Sequence, residues 1–205
     1  MSRYLSILVL MCCSLLGLSP AAAALAPALD VAVSPGLGEQ IRIDALEAQR
    51  RIPMDGELLA PGDEGAWALA PEGVRALGFP PEGVWTRGVV RNSAHTAQLR
   101  WLVVAEPFLD QVDCVTRDSA GVTRVHRMGD QRSYAERAVQ YPRLILPLNV
   151  PAQGQLQFHC YLRNNGSVTV AFELWQPEQY ALQERQLAFA RALCYGALAF
   201  AIVCG

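Results

Sequence analysis

The chain has 205 residues, 52% of them hydrophobic, and a formal net charge of −2. That length is enough for one domain with a substantial core. All 17 basic residues are arginines that form no cluster, so the composition argues against nucleic acid as a partner. The apolar residues concentrate at the two ends of the chain.

Residues 1–24 have the pattern of a secretory signal peptide. One positive charge, Arg3, precedes an apolar run over residues 5–16. The small residues Ala22 and Ala24 then supply a cleavage site of the Ala-x-Ala kind. We therefore expect the chain to be exported and residues 1–24 to be removed.

Proline and glycine punctuate residues 27–83 and leave room only for short elements. The alternation over residues 41–43 predicts a short strand. Residues 44–51 could form a two-turn helix, and residues 74–77 a further short turn.

From Val84 onward, polar and apolar residues alternate in seven short segments separated by turn residues. The segments are 84–92, 97–105, 109–116, 121–128, 143–150, 155–163 and 167–175. Asn164-Asn165-Gly166 joins the last two and favours a hairpin turn. Short strands in close succession predict an all-β fold, an antiparallel sandwich or barrel.

The C-terminal segment is apolar on every side over residues 192–205, after Arg191. A bilayer requires about 20 apolar residues, so this segment is shorter than a complete span. One alternative is an amphipathic helix docked on the domain, but the segment has no polar stripe. We predict that residues 176–205 form a juxtamembrane helix that runs into a transmembrane helix cut off within its span.

Two cysteines, Cys114 and Cys160, lie in the predicted secreted part outside the apolar ends. Each follows an apolar residue by two positions on its strand, so both are expected to face the core. If their strands neighbour each other across the core, the two could form a disulfide, which an oxidising compartment permits. The sequence leaves the pairing open.

No residue pattern indicates catalysis. The histidines His95, His126 and His159 lack the spacing of a metal site. Asp110 and Asp113 would point to opposite faces of one strand, which argues against a shared acid–base site. We predict no catalytic residues, no metal and no cofactor.

Tryptophans and arginines are the candidates for ligand binding. They are Trp67, Arg87, Arg91, Arg100, Arg163 and Trp175. The two tryptophans could stack on sugar rings, or they could cap the sandwich. The four arginines could line a polar concave face that binds an anionic or hydroxyl-rich ligand; the alternative is solvated arginines paired with local carboxylates.

Structural roles are expected for three further residues. Trp85 and Trp101 lie in alternating strands and are predicted to belong to the core. Asn92 ends its strand, and its side chain is predicted to bond the backbone of a turn.

Several segments between Leu37 and Trp175 resemble a known bacterial family in their order and spacing. The matching pieces are 84–87 with 90–93, Trp101, 109–113, Gly129, 142–147, 161–163 and 166–167. They resemble the type-2 extracellular domain of seven-transmembrane receptors with diverse intracellular signalling modules. The segment 187–196 is similar to the entry of the first helix in that seven-helix module.

The resemblance implies an antiparallel jelly-roll-like β-sandwich over residues 37–175, similar to carbohydrate-binding modules. It also implies a following seven-helix module and a cytoplasmic output domain such as a diguanylate cyclase or a histidine kinase. The sandwich itself would not be an enzyme.

The predicted function is ligand sensing in the periplasm by a receptor of the inner membrane. The expected partners are a small-molecule or carbohydrate-like ligand, the cytoplasmic membrane and, in the full-length receptor, a second copy in a homodimer. An envelope protein–protein interaction module is the alternative, and a secreted carbohydrate-active enzyme is a third.

Overall fold

A computed structural model describes residues 28–41, 43–47, 68–70, 74–76, 78–80, 83–106 and 108–204. The predicted signal peptide and Trp67 lie outside the described residues. Trp67 therefore stays a prediction from the sequence.

The described residues form twelve strands, one short 3-10 turn and one long helix. The strands are β1 Leu29–Asp30, β2 Leu37–Gln40, β3 Ile43–Glu47, β4 Ala68–Ala70, β5 Val74–Ala76, β6 Val84–Arg91, β7 Gln98–Val104, β8 Gln111–Asp118, β9 Thr123–Met128, β10 Ile145–Val150, β11 Gln155–Arg163 and β12 Thr169–Trp175. The 3-10 turn is Tyr134–Glu136, and the helix, α1, is Pro177–Cys204.

The strands form two sheets. The larger sheet has the order β4-β3-β6-β11-β8-β9, with β1 added parallel to β6 and its other pairs antiparallel. The smaller sheet has the order β10-β7-β12-β2, with β5 also paired to β12. The all-β sandwich predicted from the sequence is confirmed.

The core lies between the two sheets and follows the alternation of the strands. Even-numbered residues of β6, β8 and β11 in the larger sheet share it with even-numbered residues of β7, β10 and β12 in the smaller one. Phe158 of β11 and Phe172 of β12 meet there edge to face, with ring centroids 5.8 Å apart. Odd-numbered residues of these strands therefore point away from the opposite sheet, on what we call the outer faces.

The seven strands predicted from Val84 onward are confirmed with small changes of their ends. The hairpin at Asn164-Asn165-Gly166 is wrong, because β11 belongs to the larger sheet and β12 to the smaller one. This connection crosses between the sheets and so brings Phe158 and Phe172 into edge-to-face contact across the core.

Two short elements also differ from the prediction. The helix over residues 44–51 is wrong where the structure describes it, since Ile43–Glu47 is a strand paired with β4 and β6. Val74–Ala76 is likewise a strand, paired with β12. Pairing with neighbouring strands, which local propensity does not encode, decides both cases.

A disulfide joins Cys114 of β8 to Cys160 of β11, 46 residues apart in sequence. The two residues stand directly opposite each other in neighbouring strands of one sheet, with Cα atoms 4.1 Å apart. Both side chains are buried and face the core, as the alternation predicts. The bond lies within the larger sheet, however, and does not connect the two sheets across the core.

Candidate functional site

The outer face of the larger sheet carries mostly polar and aromatic side chains. On β6 they are Trp85, Arg87, Val89 and Arg91; on β11 Gln155, Gln157, His159, Tyr161 and Arg163; on β8 Gln111, Asp113, Val115 and Arg117. Strand pairing arranges these residues in rows across the sheet, so each residue has a fixed neighbour on the next strand.

One half of this face is buried. Trp85 and Tyr161 pack against each other with ring centroids 5.6 Å apart, and Arg87 beside them is 1% exposed. Asp113 stands opposite Tyr161, accepts a hydrogen bond from Gln111 Nε2 at 2.5 Å and is also buried. Trp85, Arg87 and Tyr161 each have interaction partners, so this half of the face is a packed layer.

The other half opens into a cleft of about 450 Å³, which we call the polar cleft. Its lining residues are Arg117, Asp118, Ser119, Gln153, Gly154, Gln155 and Gln157. None of them is aromatic, so a ligand here would be held by hydrogen bonds and charge rather than by stacking on a ring.

Two turns that approach closely build the polar cleft. Ser119, in the turn after β8, donates its backbone N–H to the carbonyl of Gln155 at 3.0 Å. Gly154 allows this approach, because a Cβ there would lie 2.9 Å from Ser119 Oγ and 2.7 Å from Pro151 Cγ. Gln153 has φ +50°, a left-handed conformation that costs a non-glycine residue about 1–3 kcal/mol.

Asn92 lies beneath the second of these turns, the one that contains Gly154, and holds it in place. It is fully buried, and its Nδ2 donates to the carbonyl oxygens of Thr96 (2.8 Å), Pro151 (3.1 Å) and Val150 (3.3 Å). Its Oδ1 accepts from the backbone N–H of Ala94 at 3.0 Å. Asn92 was predicted to bond turn backbone, and the turn that these hydrogen bonds hold carries Gln153.

Arg91 lies beside the polar cleft, directly opposite Gln155. Its guanidinium pairs with Asp30 at 3.1 Å, and Asp30 also accepts from the backbone N–H groups of Ala32 and Ser93. Burial raises the pKa of Asp30, but these hydrogen bonds outweigh it and lower the pKa to about 2. Asp30 therefore stays ionised and ties β1 to the margin of the cleft.

The lining groups are free to bind a ligand. Within the part of the chain that the structure describes, the side chains of Arg117, Gln153, Gln155 and Gln157 have no hydrogen-bond or ion-pair partner. Asp118 Oδ1, in contrast, accepts from the backbone N–H groups of its own hairpin turn. Carboxamides donate and accept at once, so they match hydroxyl groups, while the guanidinium adds one positive charge.

The structure does not bring the four predicted arginines together. Arg87, Arg91 and Arg163 share the outer face of the larger sheet. Arg91, on β6, is paired with Gln155 at one end of β11, whereas Arg163 lies at the other end of β11, roughly 25 Å away. Arg100 lies on β7 of the smaller sheet, opposite the core residue Leu148, and points between the sheets. Arg91 alone lies beside the polar cleft.

Arg100 bridges the two sheets at the edge of the core. It is 6% exposed and donates Nη2 to the carbonyl of Val31 at 2.7 Å and Nη1 to Gln98 Oε1 at 3.0 Å. Burial lowers the pKa of Arg100, and the nearby carboxylates of Glu178 and Glu39 partly offset that change. Because Glu178 lies in the first turn of α1, Arg100 electrostatically links Val31, just after β1, to the helix.

The outer face of the smaller sheet is an aromatic cluster covered by α1. Trp101, Tyr141, Trp175 and Tyr180 contact one another edge to face at centroid distances of 5.3–5.7 Å. Tyr180, in the first turn of α1, is 3% exposed. Gly38 also approaches Trp175, because a Cβ there would lie 2.4 Å from the ring.

Two of the predicted tryptophans, Trp101 and Trp175, belong to this cluster. Trp175, predicted to cap the sandwich or stack on a sugar, is 5% exposed and holds α1; its Nε1 donates to Glu173 at 3.0 Å. Trp85, 1% exposed, packs against Tyr161 on the outer face of the larger sheet, and Trp101 packs against a buried cluster on the outer face of the smaller sheet, so both lie outside the core between the sheets. The even-numbered neighbours fill the core because side chains alternate along a strand.

Beyond Glu184, α1 leaves the sandwich. Its side chains from Arg185 to Ile202 are exposed, including Leu193, Phe200 and Ile202. Among the described residues, no helix combines the length and the apolar character needed to cross a bilayer.

A second, smaller cavity of about 190 Å³ lies between the edge strands β9 and β10. Thr116, Arg124, Pro147 and Asn149 are among its lining residues. It shares Asp118 with the polar cleft and provides an internal comparison for binding experiments.

The histidines and acidic residues that the structure describes do not form a metal-binding cluster. In the described part of the chain, no group of three or more His, Cys, Asp or Glu side chains could hold a metal ion. Burial lowers the pKa of His126, with Arg124 adding to the effect.

The sequence reasoning missed the glutamines of the polar cleft. Gln153, Gln155 and Gln157 recur at every second position, alternating with Gly154 and the core residue Leu156. Glutamines at successive outward-facing positions of a strand indicate a polar face without charge. That pattern could have indicated the site.

A protein-family model described as 7TMR-DISM extracellular 2 matches residues 49–176, more than half of the chain. The match includes every lining residue of the polar cleft and the whole of β12. No curated protein matches the chain.

Proposed function

The chain belongs to the 7TMR-DISM extracellular 2 family, and from this premise we propose that its β-sandwich senses a small-molecule or carbohydrate-like ligand and passes the ligand state to the membrane through α1. The resemblance noted in the sequence is thereby confirmed, and the sandwich is the extracellular domain of a membrane receptor. Sensing and relay are the parts that we propose.

The docking of α1 is the observation that supports the relay. Tyr180 inserts among the rings of Trp101, Tyr141 and Trp175, so the first turn of the helix follows any movement of the smaller sheet. The helix continues from Pro177 to Cys204 without a break. A continuous helix transmits a displacement, whereas a flexible tether does not.

A set of contacts, with one electrostatic step at its end, leads from the margin of the polar cleft to α1. Arg91 at the cleft margin holds Asp30, and the carbonyl of Val31, the next residue, accepts from Arg100. Arg100 in turn lies in the field of Glu178 in the first turn of the helix. We propose that ligand binding shifts this set of contacts; the predicted ligand residues Arg91 and Arg100 would thus act at its two ends.

The remaining predicted ligand residues belong to this proposal in different ways. Arg87 and Arg163 share the outer face with the cleft, and Arg87 lies in its packed half. Trp175 would act through α1, since its ring packs against Tyr180 and Gly38.

The larger arrangement follows the family. Residues 1–24 would be the signal peptide, residues 37–175 the periplasmic sensor domain, and residues 176–205 the approach to the first helix of the seven-helix module in the inner membrane. The receptor would carry a cytoplasmic output domain and could signal as a homodimer.

Cell fractionation tests the membrane part of this proposal. We expect the full chain, expressed with its N-terminal segment in a Gram-negative host, to remain in the membrane pellet after alkaline carbonate washing. A matched chain that ends at Gln186 removes most of the exposed apolar residues of α1 but keeps Tyr180, and it should be soluble in the periplasm. Recovery of the full chain wholly in the soluble periplasmic fraction would contradict the proposal.

A further inference from the structure

We infer that the polar cleft binds a small polyhydroxylated carboxylate, a sugar acid of the uronate kind, with Arg117 holding the carboxylate and the glutamines holding the hydroxyl groups. This inference rests on the proposed sensing function and names the ligand class of its site. It concerns the cleft lined by Arg117, Gln153, Gln155 and Gln157.

Arg117 is the reason to expect a carboxylate on the ligand. This guanidinium lines the cleft, is exposed, and has no partner within the described residues, whereas neighbouring Arg91 is neutralised by Asp30. A planar guanidinium binds a carboxylate through two parallel hydrogen bonds. Asp118 Oδ1 is held by the backbone N–H groups of Ala120 and Val122, and within the described residues Asp118 forms no ion pair with Arg117.

The hydroxyl requirement comes from the carboxamides. Gln157 stands directly opposite Arg117 across the β8–β11 pair, so one ligand can contact both side chains. Gln155 follows on the same face of β11, and Gln153 keeps a strained left-handed φ of +50° while lining the cleft. The hydroxyl groups of a sugar both donate and accept, and each carboxamide can do the same.

The size and walls of the cleft favour a single sugar unit over a glycan chain. A volume of about 450 Å³ lies at the lower end of the range for small-molecule sites. The lining has no aromatic ring on which a chain of sugars could stack. The backbone is also fixed in advance by Asn92 and Gly154, so little ordering would accompany binding.

Isothermal titration calorimetry on the full chain in detergent tests the inference with three probes. D-Glucuronate supplies both groups, D-glucose only the hydroxyls, and acetate only the carboxylate. We expect glucuronate to bind at least about tenfold more tightly than either of the others, because a charge-assisted pair and several hydrogen bonds are lost separately in the two partial probes. Equal binding of glucose and glucuronate, or no binding of glucuronate, would overturn the inference.

Variants locate the site. Arg117→Gln should weaken glucuronate binding about tenfold or more, and Gln157→Leu should weaken it about threefold to tenfold. Arg124→Gln is the matched control, since it removes another exposed arginine, one that lines the smaller cavity. If Arg124→Gln abolishes binding and Arg117→Gln does not, the cleft assignment is wrong.

These outcomes are distinct from failure of the proposed function. Loss of glucuronate binding leaves the membrane fractionation result unchanged, and that result tests the receptor assignment by itself. Melting curves of Arg117→Gln and Gln157→Leu establish that each variant keeps the fold of the wild-type chain.

Discussion

The two outer faces of the sandwich differ in what lies over them. At the Arg91 end of the larger sheet, polar side chains line an open cleft of about 450 Å³, and four of them have no partner among the residues that the structure describes. On the smaller sheet, the three rings of Trp101, Tyr141 and Trp175 are covered by Tyr180 in the first turn of α1. A face that exchanges water for a ligand has to remain open and polar, whereas a face that passes on a displacement has to be packed.

Arg100 lies between these two faces and not on either of them. It bonds Val31, which follows the strand paired to the edge of the cleft, and it lies near the first turn of α1. The comparison therefore predicts that damage to either face is local, whereas damage to Arg100 uncouples α1 from the cleft and leaves the cleft itself intact.

The largest expected effect is on the packed face. Tyr180→Ala removes a buried ring, and we expect it to cost about 3–5 kcal/mol of packing free energy, seen as loss of amide hydrogen-exchange protection over residues 177–184. Tyr180→Phe is the control: Tyr180 Oη is buried without a partner in the described residues, so its removal should leave protection equal or higher. If Tyr180→Ala leaves α1 protected, the aromatic cluster does not hold the helix.

The next effect concerns the sheet that carries the cleft. Cys114→Ala with Cys160→Ala should lower the free energy of unfolding by about 3–4 kcal/mol, because the disulfide limits the unfolded chain across 46 residues. Cys194→Ala, which removes an exposed free thiol on α1, should leave it unchanged. Urea denaturation measures both. Equal stability of the double variant and the wild-type chain would contradict the account.

Much of this architecture was predictable from the sequence because alternation was strong. From Val84 onward every core strand has apolar residues on one parity, and even the inward direction of Cys114 and Cys160 followed from it. Which strands pair could not be derived, since Asn164-Asn165-Gly166 favours a hairpin locally while core packing sends β12 to the other sheet.

The site was harder to predict. The odd or even position of a residue along its strand tells which face of the sheet its side chain lies on, but not which side chains lie next to it. Arg100 has the inward parity and Arg91 the outward one, so the two could have been separated from the sequence. The burial of Trp175 beneath α1 depends on the path of the chain after Gln176, which no local pattern contains.

A smaller effect is expected on the face that carries the polar cleft. Asn92→Ala removes the donor to three carbonyl oxygens under the cleft, so we expect a loss of about 1–3 kcal/mol in unfolding free energy and weaker glucuronate binding. Asn164→Ala removes one exposed side-chain hydrogen bond, to Ser167, and should change neither quantity measurably. If Asn92→Ala keeps full stability and binding, the hydrogen bonds of Asn92 are not what holds the turn under the cleft.

The smallest effects are on the pH dependence of stability. The face with the polar cleft should lose stability in acid, and the face with the aromatic cluster should lose it in alkali. The pKa of Asp30 is lowered to about 2, so its stabilisation is present above its ordinary value near 4 and is lost as pH falls from about 4 to 2. Asp30→Asn should remove this acid dependence in urea titrations between those pH values. An unchanged acid slope in Asp30→Asn would contradict the assignment.

The packed face should respond to alkali. Burial, with a further contribution from Glu184, raises the pKa of Tyr180 to about 12, and this stabilisation is present below about pH 10 and is lost as pH rises from 10 to 12. Tyr180→Phe should lose that part of the alkaline dependence. Ultraviolet titration of the phenols should show one tyrosine fewer that ionises near pH 12.

Hydrogen exchange on the full chain in lipid nanodiscs, with and without saturating D-glucuronate, tests most directly whether the two faces are coupled. We predict that the ligand increases protection over residues 151–157 at the cleft and also changes protection over residues 177–184 at the start of α1. In Arg100→Gln, the first change should remain and the second should be lost. Protection that changes only at the cleft in the wild-type chain would contradict the relay.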